Sequence, residues 1–541
     1  MRQLWDSRSR WTQRILVLVP LVLSAWAVGV TAAARHVHEA RYGHDVFLLL
    51  DAAWRVLHGQ HVHVDFYSPY GPAVTEVVAA VMRAFGANAL AIPRSVGMIG
   101  LVAFLWSLWV AGQRASAALA SWFAALVTLI AVGRHQLSFE FQVTSHSAYY
   151  NRLGYVLLAI IALECLVPPR AQSKRTGALG GASTGFLCAA LLFVKPTFFL
   201  AAAVLLVLSA ATATPSPARW TGVASGCIAG LAACGAMIGY RFDAMFRDYA
   251  MVAAARSDSV AWSRIDVASD MVNRTSVMVT AGRVLDTVLG DLISSALVFG
   301  LAWSLPQDAT RQGRRDLVAL VFLFWGMSLA LSLTSWQWGE SPLFAVLALA
   351  FFMLASRSPS ISEASWNVCG WLTAGCVFLF VGKNAGSIAF DEALARAYSP
   401  RWNSFPEPQA RGLAITGSDS QCRPDRYAAR VEGAVAAISS IADLRVTVLD
   451  FSNPFPFLSR SSPPRGGGLC WHYGSTFSDD TYLLPDRMFG DSNVVLIPKC
   501  PEDASAVEAL GRIYGDALQT RFYRASETDS FVVLRSNTAH D

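Results

Sequence analysis

The chain has 541 residues, of which 54% are hydrophobic and only 15% are charged, and its mean hydropathy is +0.40. Soluble domains carry roughly 25% charged residues, so this composition excludes an ordinary soluble protein and indicates a polytopic membrane protein. The net charge of +5 is small and follows from arginines placed in the predicted loops, which gives no case for binding nucleic acid.

The first apolar run, Ile15 to Ala34, is long enough to cross a bilayer as about 20 helical residues. It continues where the apolar core of a signal peptide would stop, so we predict a retained span. Ten more apolar runs bring the predicted α-helical spans to eleven: Pro93 to Gly112, Ser116 to Val132, Leu153 to Val167, Ala178 to Val194, Thr197 to Ala213, Thr221 to Tyr240, Val288 to Leu305, Leu317 to Thr334, Leu343 to Ala355 and Asn367 to Val381.

The segment Ala73 to Gly86 decides the topology, because counting it as a span would reverse the side of every later loop. It is short at about 14 residues and carries Glu76 and Arg83 on one helical face, so we predict an amphipathic helix at the interface. The basic loops PPRAQSKRTG and PQDATRQGRRD then fall on the cytoplasmic side, as the positive-inside rule requires. The long outer segment from Arg241 to Asp286 is an exception, because it holds six arginines.

This topology predicts a multi-pass protein of the inner or plasma membrane with a cytoplasmic N-terminus and the first loop, residues 35–92, on the outer face. We divide the chain into a transmembrane module, residues 1–383, and an extracytoplasmic α/β domain, residues 384–541. In the second part the strand-like runs RVTVLDF, NVVLIP and FVVLR alternate with helical stretches near Tyr427 to Ala442 and Ala504 to Leu518.

Three cysteines of the predicted outer domain, Cys422, Cys470 and Cys500, would lie in a compartment that permits disulfides. They allow at most one bridge and one remaining thiol, and the sequence leaves all three pairings open.

The first loop reads RYGHDVFLLLDAAWRVLHGQHVHVDFYSPYGP from Arg41 to Pro72. Asp45 opens a helical stretch, so it is either a helix cap or a general base beside apolar surface. Asp51 lies four residues before Arg55 and is predicted to pair with it. Asp65 precedes a turn-rich sequence, in which a carboxylate often accepts hydrogen bonds from local backbone donors.

The acidic residue after the first span, the helix end DAAWRVLHG and the sequence DFYSPYGP together resemble the first outer loop of GT-C superfamily glycosyltransferases. This group includes lipid A aminoarabinose transferases and protein O-mannosyltransferases. The resemblance implies a many-span bundle with two interface helices before the second span and an outer C-terminal domain. It also implies inverting transfer of a sugar from a polyprenyl-phosphate donor to a cell-surface glycan, lipid or protein, with Asp45 as the catalytic base.

The same resemblance implies a cation beside the leaving phosphate, because the charge that develops there must be stabilised. Lys195 in VKPTFFL and Arg152 in SAYYNR are the candidates, and both have the alternative of long side chains reaching the interface.

The further candidates for binding the donor phosphate or the substrate are Asp65, Tyr67 and Tyr70 in the first loop and Glu340 in WQWGESP. The sequence shows no CxxC pair or Cys/His cluster, so we predict no metal site from it, and a requirement for a divalent cation is left open.

Two other functions compete with glycosyl transfer. A transporter or flippase of glycolipids would use the acids predicted inside the spans, Glu164 and Asp291. A non-catalytic membrane scaffold would use only the outer domain, to bind a partner.

Overall fold

The computed structural model describes residues 10–40, 43–137, 141–146, 149–212, 216–260, 290–304, 314–335, 341–357, 362–398, 405–416 and 427–537. Every predicted span lies on a helix, because each apolar run is long enough for several helical turns. These helices are Arg10–Ala32, Ala91–Gly112, Ala117–Val132, Tyr149–Leu166, Lys174–Leu192, Pro196–Thr212, Pro217–Gly235, Gly290–Ser304, Arg314–Ser335, Leu343–Ala355 and Glu363–Tyr398.

Within the described residues, five helices are long and apolar enough to cross a membrane by length and composition. Five more apolar helices are shorter, between 10 and 17 residues. Helix Lys174–Leu192 has the length, but its many glycine and polar residues make it less apolar. The five long helices are Trp11–Ala32, Ala91–Gly112, Tyr149–Leu166, Pro217–Ile238 and Glu363–Ala397.

Two short helices lie between the first and second predicted spans, Val46–Leu57 and Ala73–Phe85. The second has 13 residues and is therefore about 20 Å long, less than the roughly 30 Å of a hydrocarbon core. It buries Val74 and Val78 on one side, whereas Phe85 at its end is 61% exposed. This is the amphipathic helix that the sequence predicts for the segment.

Helices Lys174–Leu192 and Pro217–Gly235 pack with their backbones almost in contact. A Cβ atom added to Gly226 would lie 2.1 Å from the carbonyl oxygen of Ala182, and one added to Gly185 would lie 2.0 Å from that of Val223. Only glycine fits at these two positions, and such small-residue seams are typical of helix pairs in membranes.

The last helix of the bundle, Glu363–Tyr398, has 36 residues and continues past Lys383, where we placed the end of the membrane module. At 1.5 Å per residue it is about 54 Å long, well beyond the thickness of a hydrocarbon core. Its far part carries Asp391, which pairs with the guanidinium of Arg134 at 2.6 Å and with Nε2 of His36 at 3.0 Å.

The C-terminal segment, residues 405–537, contains a four-stranded sheet in the order β3 (Val446–Val448), β4 (Val494–Pro498), β6 (Phe531–Ser536), β5 (Phe522–Glu527). Strands β3 and β4 are parallel, and the other two pairs are antiparallel. The predicted strands and helices are all found, the helices as Tyr427–Ile438 and Ala504–Arg521.

A second, two-stranded sheet joins the first loop to the C-terminal segment. Strand β1 (Val37–Glu39) pairs in parallel with β2 (Leu413–Ile415), with Val37 opposite Leu413. Both strands are buried and have only three residues, which is too short for a sequence pattern to predict them.

One cysteine of the C-terminal segment, Cys500, is disulfide-bonded, whereas Cys470 is a free, buried thiol. This excludes the two predicted pairings that contain Cys470. Cys422 lies outside the described residues.

Candidate functional site

Asp45 ends a short 3-10 turn, Gly43–Asp45, directly before helix Val46–Leu57. Its backbone is helical, with φ −67° and ψ −25°, rather than the extended conformation of a typical N-cap. In the described part of the chain its side chain makes no capping hydrogen bond to this helix. The geometry therefore does not support the interpretation of Asp45 as a helix cap.

The immediate neighbour of the Asp45 carboxylate is the buried imidazole of His44. Nε2 of His44 lies 3.1 Å from Oδ1 of Asp45, and Nδ1 lies 3.1 Å from Oε2 of Glu502. Burial disfavours the charged imidazole, but the charges of Asp45 and Glu502 outweigh it and raise the pKa of His44 to about 10. The ring is thus cationic at neutral pH and lies directly beside the Asp45 carboxylate.

A pair of stacked tyrosines connects the first loop to Lys195. The rings of Tyr70 and Tyr150 are 4.0 Å apart with an interplanar angle of 23°. Burial raises the pKa of Tyr70 well above 10, and interactions with Tyr150, Cys470 and Asp45 also raise it. Nζ of Lys195 lies 5.5 Å from the centroid of the Tyr150 ring.

Lys195 is one of two cations that converge on a single carbonyl group. Its Nζ donates to the backbone oxygen of Thr334 at 2.8 Å and to Oδ1 of Asn151 at 3.4 Å. Arg256 donates to the same Thr334 oxygen at 3.2 Å and to Oγ of Ser475 at 3.4 Å. Burial, with the like charge of Arg256, lowers the pKa of Lys195 well below its usual value. An anion bound beside Lys195 and Arg256 would favour the protonated, cationic form of Lys195.

We call Lys195 and Arg256 the cation pair. Arg256 lies on the arm helix, Phe242–Val260, and was not among the residues predicted from the sequence. The signal was present, because the segment from Arg241 to Asp286 is the arginine-rich exception to the positive-inside rule. An excess of arginines on the predicted outer side is a reason to search that segment for an anion site.

The structure gives Arg152 a set of contacts within the helix bundle. Its guanidinium donates to the carbonyl of Ile130 at 2.8 Å, to Oδ1 of Asn384 at 2.9 Å and to the carbonyl of His135. The side chain is buried, and these partners match a structural role in holding the helix ends together.

Asp65 and Tyr67 connect the first loop to the C-terminal segment. Oδ2 of Asp65 accepts a hydrogen bond from the backbone of His61 at 2.7 Å, the local role that its turn-rich surroundings indicated. The hydroxyl of Tyr67 donates to the carbonyl of Thr476 at 2.7 Å, and its fully buried ring stacks on Trp471.

The carboxylate of Asp51 accepts from Nε of Arg55 at 2.8 Å, so the predicted pairing of these two residues is confirmed. Glu340 lies outside the described residues.

The acids inside the bundle also have defined partners. Oε2 of Glu164 accepts from the hydroxyl of Thr184 at 2.8 Å, and its other oxygen lies 4.0 Å from the guanidinium of Arg114. Asp291 accepts from the hydroxyl of Ser328 and from the backbone of Ser341. Both acids bridge neighbouring helices.

In the part of the chain that the structure describes, no group of three or more His, Cys, Asp or Glu side chains is arranged to hold a metal ion.

No protein-family model and no curated protein matches this chain. Among solved structures, two of ArnT from Cupriavidus metallidurans are similar to it. The structure bound to undecaprenyl phosphate is 13% identical, with a TM-score of 0.42 and coverage of 98% of both chains. The apo structure is 12% identical, with a TM-score of 0.47 and coverage of 97% of this chain and 98% of the other. At these identities, the roles of individual residues must follow from the geometry of this chain.

Proposed function

We propose that this protein is a membrane glycosyltransferase that transfers a sugar from a polyprenyl-phosphate donor to a hydroxyl-bearing acceptor. The observation that carries the proposal is that the first loop supplies both the uncapped Asp45 carboxylate, held beside a cationic His44, and Tyr70. The ring of Tyr70 stacks on Tyr150, which lies next to Lys195 of the cation pair, Lys195 and Arg256.

In this mechanism Asp45 is the general base. It accepts the proton of the acceptor hydroxyl as the hydroxyl oxygen forms a bond to the anomeric carbon of the donor. The bond from that carbon to the phosphate oxygen breaks, and its electron pair leaves with the lipid phosphate. Attack from the face opposite the phosphate inverts the anomeric configuration.

Lys195 and Arg256 would bind the donor phosphate and stabilise the negative charge that grows on it as the bond breaks. Both cations are held by the carbonyl of Thr334, so their positions are set before the donor arrives. Tyr70 and Tyr150 would provide the flat surface between the phosphate and the base, on which a sugar ring can pack.

We further propose that the first loop and the C-terminal segment lie outside the cytoplasm, with the N-terminus inside. The disulfide at Cys500 supports this placement, because structural disulfides persist in oxidising compartments. The acceptor would then be a glycan, lipid or protein of the cell surface.

The test is transfer of label from a panel of radiolabelled polyprenyl-phosphate sugars in membranes that contain the protein. We expect Asp45→Asn to lower kcat by about 10²- to 10⁴-fold, the usual contribution of a positioned general base. The matched control is Asp243→Asn, since Asp243 is 55% exposed at the opposite end of the arm helix from Arg256. A fully active Asp45→Asn variant would remove Asp45 from the mechanism.

The cation pair is tested separately with the lipid phosphate alone. Unlabelled polyprenyl phosphate should raise the thermal unfolding midpoint of the wild-type protein in detergent, because a ligand that binds only the folded state stabilises it. Lys195→Met and Arg256→Met should each weaken this stabilisation, and an undiminished effect in both variants would place the phosphate elsewhere.

A further inference from the structure

The candidate base Asp45 is connected to the C-terminal segment through His44. The hydroxyl of Ser452 donates to the backbone carbonyl of His44 at 2.8 Å. The imidazole packs edge to face against the ring of Phe451, with ring centroids 4.8 Å apart. Residues more than 400 positions away in the sequence therefore hold both the backbone and the ring of His44.

The partner of His44 on the C-terminal side, Glu502, is itself fixed by several contacts. Its Oε1 lies 2.6 Å from Nη2 of Arg430, and its backbone N–H donates to Oδ1 of Asp450 at 3.0 Å. Arg430 is anchored in turn by a 2.8 Å hydrogen bond to the carbonyl of Cys500. Glu502 is therefore a rigid support for His44.

We propose that His44 is a positioning residue for the base, so that the C-terminal segment forms part of the active site. Glu502 fixes the imidazole through Nδ1, and the imidazole fixes Asp45 through Nε2. This inference rests on the proposed function, in which Asp45 takes the proton of the acceptor. It assigns to the C-terminal segment a role in turnover and not only in the stability of the fold.

The ionisable groups that act on this unit come from three parts of the chain. Asp45 belongs to the first loop, Tyr427 and Arg430 to helix Tyr427–Ile438, and Asp450 and Glu502 to the loops that follow strands β3 and β4. Replacing the cationic His44 would leave the carboxylates of Asp45 and Glu502 without the positive charge that lies between them.

The test compares His44→Gln with His472→Gln in the transfer assay. His472 is a matched control, because it also faces Phe451 and pairs with a carboxylate, Asp503 at 2.8 Å, in the same region. For His44→Gln we expect kcat at neutral pH to fall about 10- to 100-fold and KM for the donor to stay within about twofold.

Glu502→Gln changes the partner of His44 on the C-terminal side, and it should also lower kcat without changing KM for the donor. The double variant with His44→Gln and Glu502→Gln should have a kcat little lower than that of either single variant, because both changes break the same connection between Glu502 and His44. His472→Gln should behave like the wild type. A His44→Gln variant as active as the control, or one in which KM for the donor rises as much as kcat falls, would overturn the inference.

A measurement without turnover separates this inference from the proposed function. Thermal unfolding of Asp45→Asn, His44→Gln and the double variant gives the coupling between the two side chains. If the wild type transfers no sugar from any donor, the proposed function fails, and the coupling decides whether His44 holds Asp45. Additive shifts of the midpoint would show that it does not.

Discussion

The arm helix is joined to the first loop and to the C-terminal segment by one buried carboxylate, Asp248. Its Oδ2 lies 3.0 Å from Nδ1 of His63 and accepts from the backbone of Ser68 at 3.2 Å, and its Oδ1 accepts from Arg487 at 2.8 Å. The side chain of Asp248 is fully buried. We predict that Asp248→Asn markedly destabilises the protein, because it removes the charge and places an amide N–H₂ beside groups that are themselves donors.

The size of the effect follows from the partners. Removing one member of a buried ion pair costs about 3–5 kcal/mol. Arg487 is 27% exposed and regains some contact with water, which places the expected loss at the lower end, about 3 kcal/mol. For a chain of 541 residues that unfolds as one unit, this corresponds to a fall in the thermal unfolding midpoint of about 3 °C.

The assay is the unfolding midpoint of the protein in detergent, measured by intrinsic fluorescence. Asp243→Asn is the matched control, since it makes the same chemical change on the same helix at an exposed position paired with Arg241 and Arg247. We expect its midpoint to equal that of the wild type, because exposed ion pairs contribute little. Equal midpoints for the two variants would refute the argument that the buried carboxylate joins these parts of the fold.

Two further predictions concern the C-terminal segment and the helix bundle. Burial raises the pKa of Asp450 from 3.8 to about 7; a backbone hydrogen bond opposes this rise, and the charge of Glu502 adds to it. The protonated Asp450 therefore contributes its full stability below pH 3.8, and this contribution is lost as the pH rises through 7. At pH 8 the Asp450→Asn variant should therefore unfold at a higher temperature than the wild type, because its free energy of unfolding is larger by at most about 4 kcal/mol. This difference should shrink towards pH 4, and a difference that stays constant with pH would contradict the prediction. Gly226→Ala should lower the unfolding midpoint, because the added Cβ would lie 2.1 Å from a carbonyl oxygen. Gly326→Ala is the control, since a Cβ there has nothing within 4 Å and should leave the midpoint unchanged. Similar midpoints for the two variants would contradict the close packing of the helices.

The sequence predicted the helices well, because a long apolar run in a chain of this composition has few alternatives to a helix. It predicted the strands of the four-stranded sheet for a similar reason, since VTVL, VVLI and FVVL are runs of β-branched and aromatic residues. Strands β1 and β2 could not be predicted, because each has only three residues and forms by pairing with the other strand rather than from a recognisable sequence pattern.

The candidate site could be predicted only in part. The first-loop motif pointed to Asp45, but the residues that hold it, above all Glu502, are brought there by tertiary folding that no local pattern records. The choice between helix cap and free carboxylate depended on a backbone conformation at Asp45, which the residue type alone does not fix. The arginine-rich segment could be recognised from the sequence, but the choice of Arg256 within it could not, because its partner Thr334 lies 78 residues away.

The glycine run Gly466 to Gly468 explains how the C-terminal segment comes so close to the first loop. Gly466 and Gly467 have φ of +104° and +68°, which side chains rarely allow, and a Cβ on Gly468 would lie 2.9 Å from the ring of Tyr67. The backbone of Gly466 donates to Asp65 at 2.6 Å, and Tyr67 donates back to Gly467 at 2.9 Å. Because this contact, the β1–β2 pairing and the pair formed by His44 and Glu502 all join the same two regions, we expect Asp45 to keep this position only while the C-terminal segment is packed against the first loop.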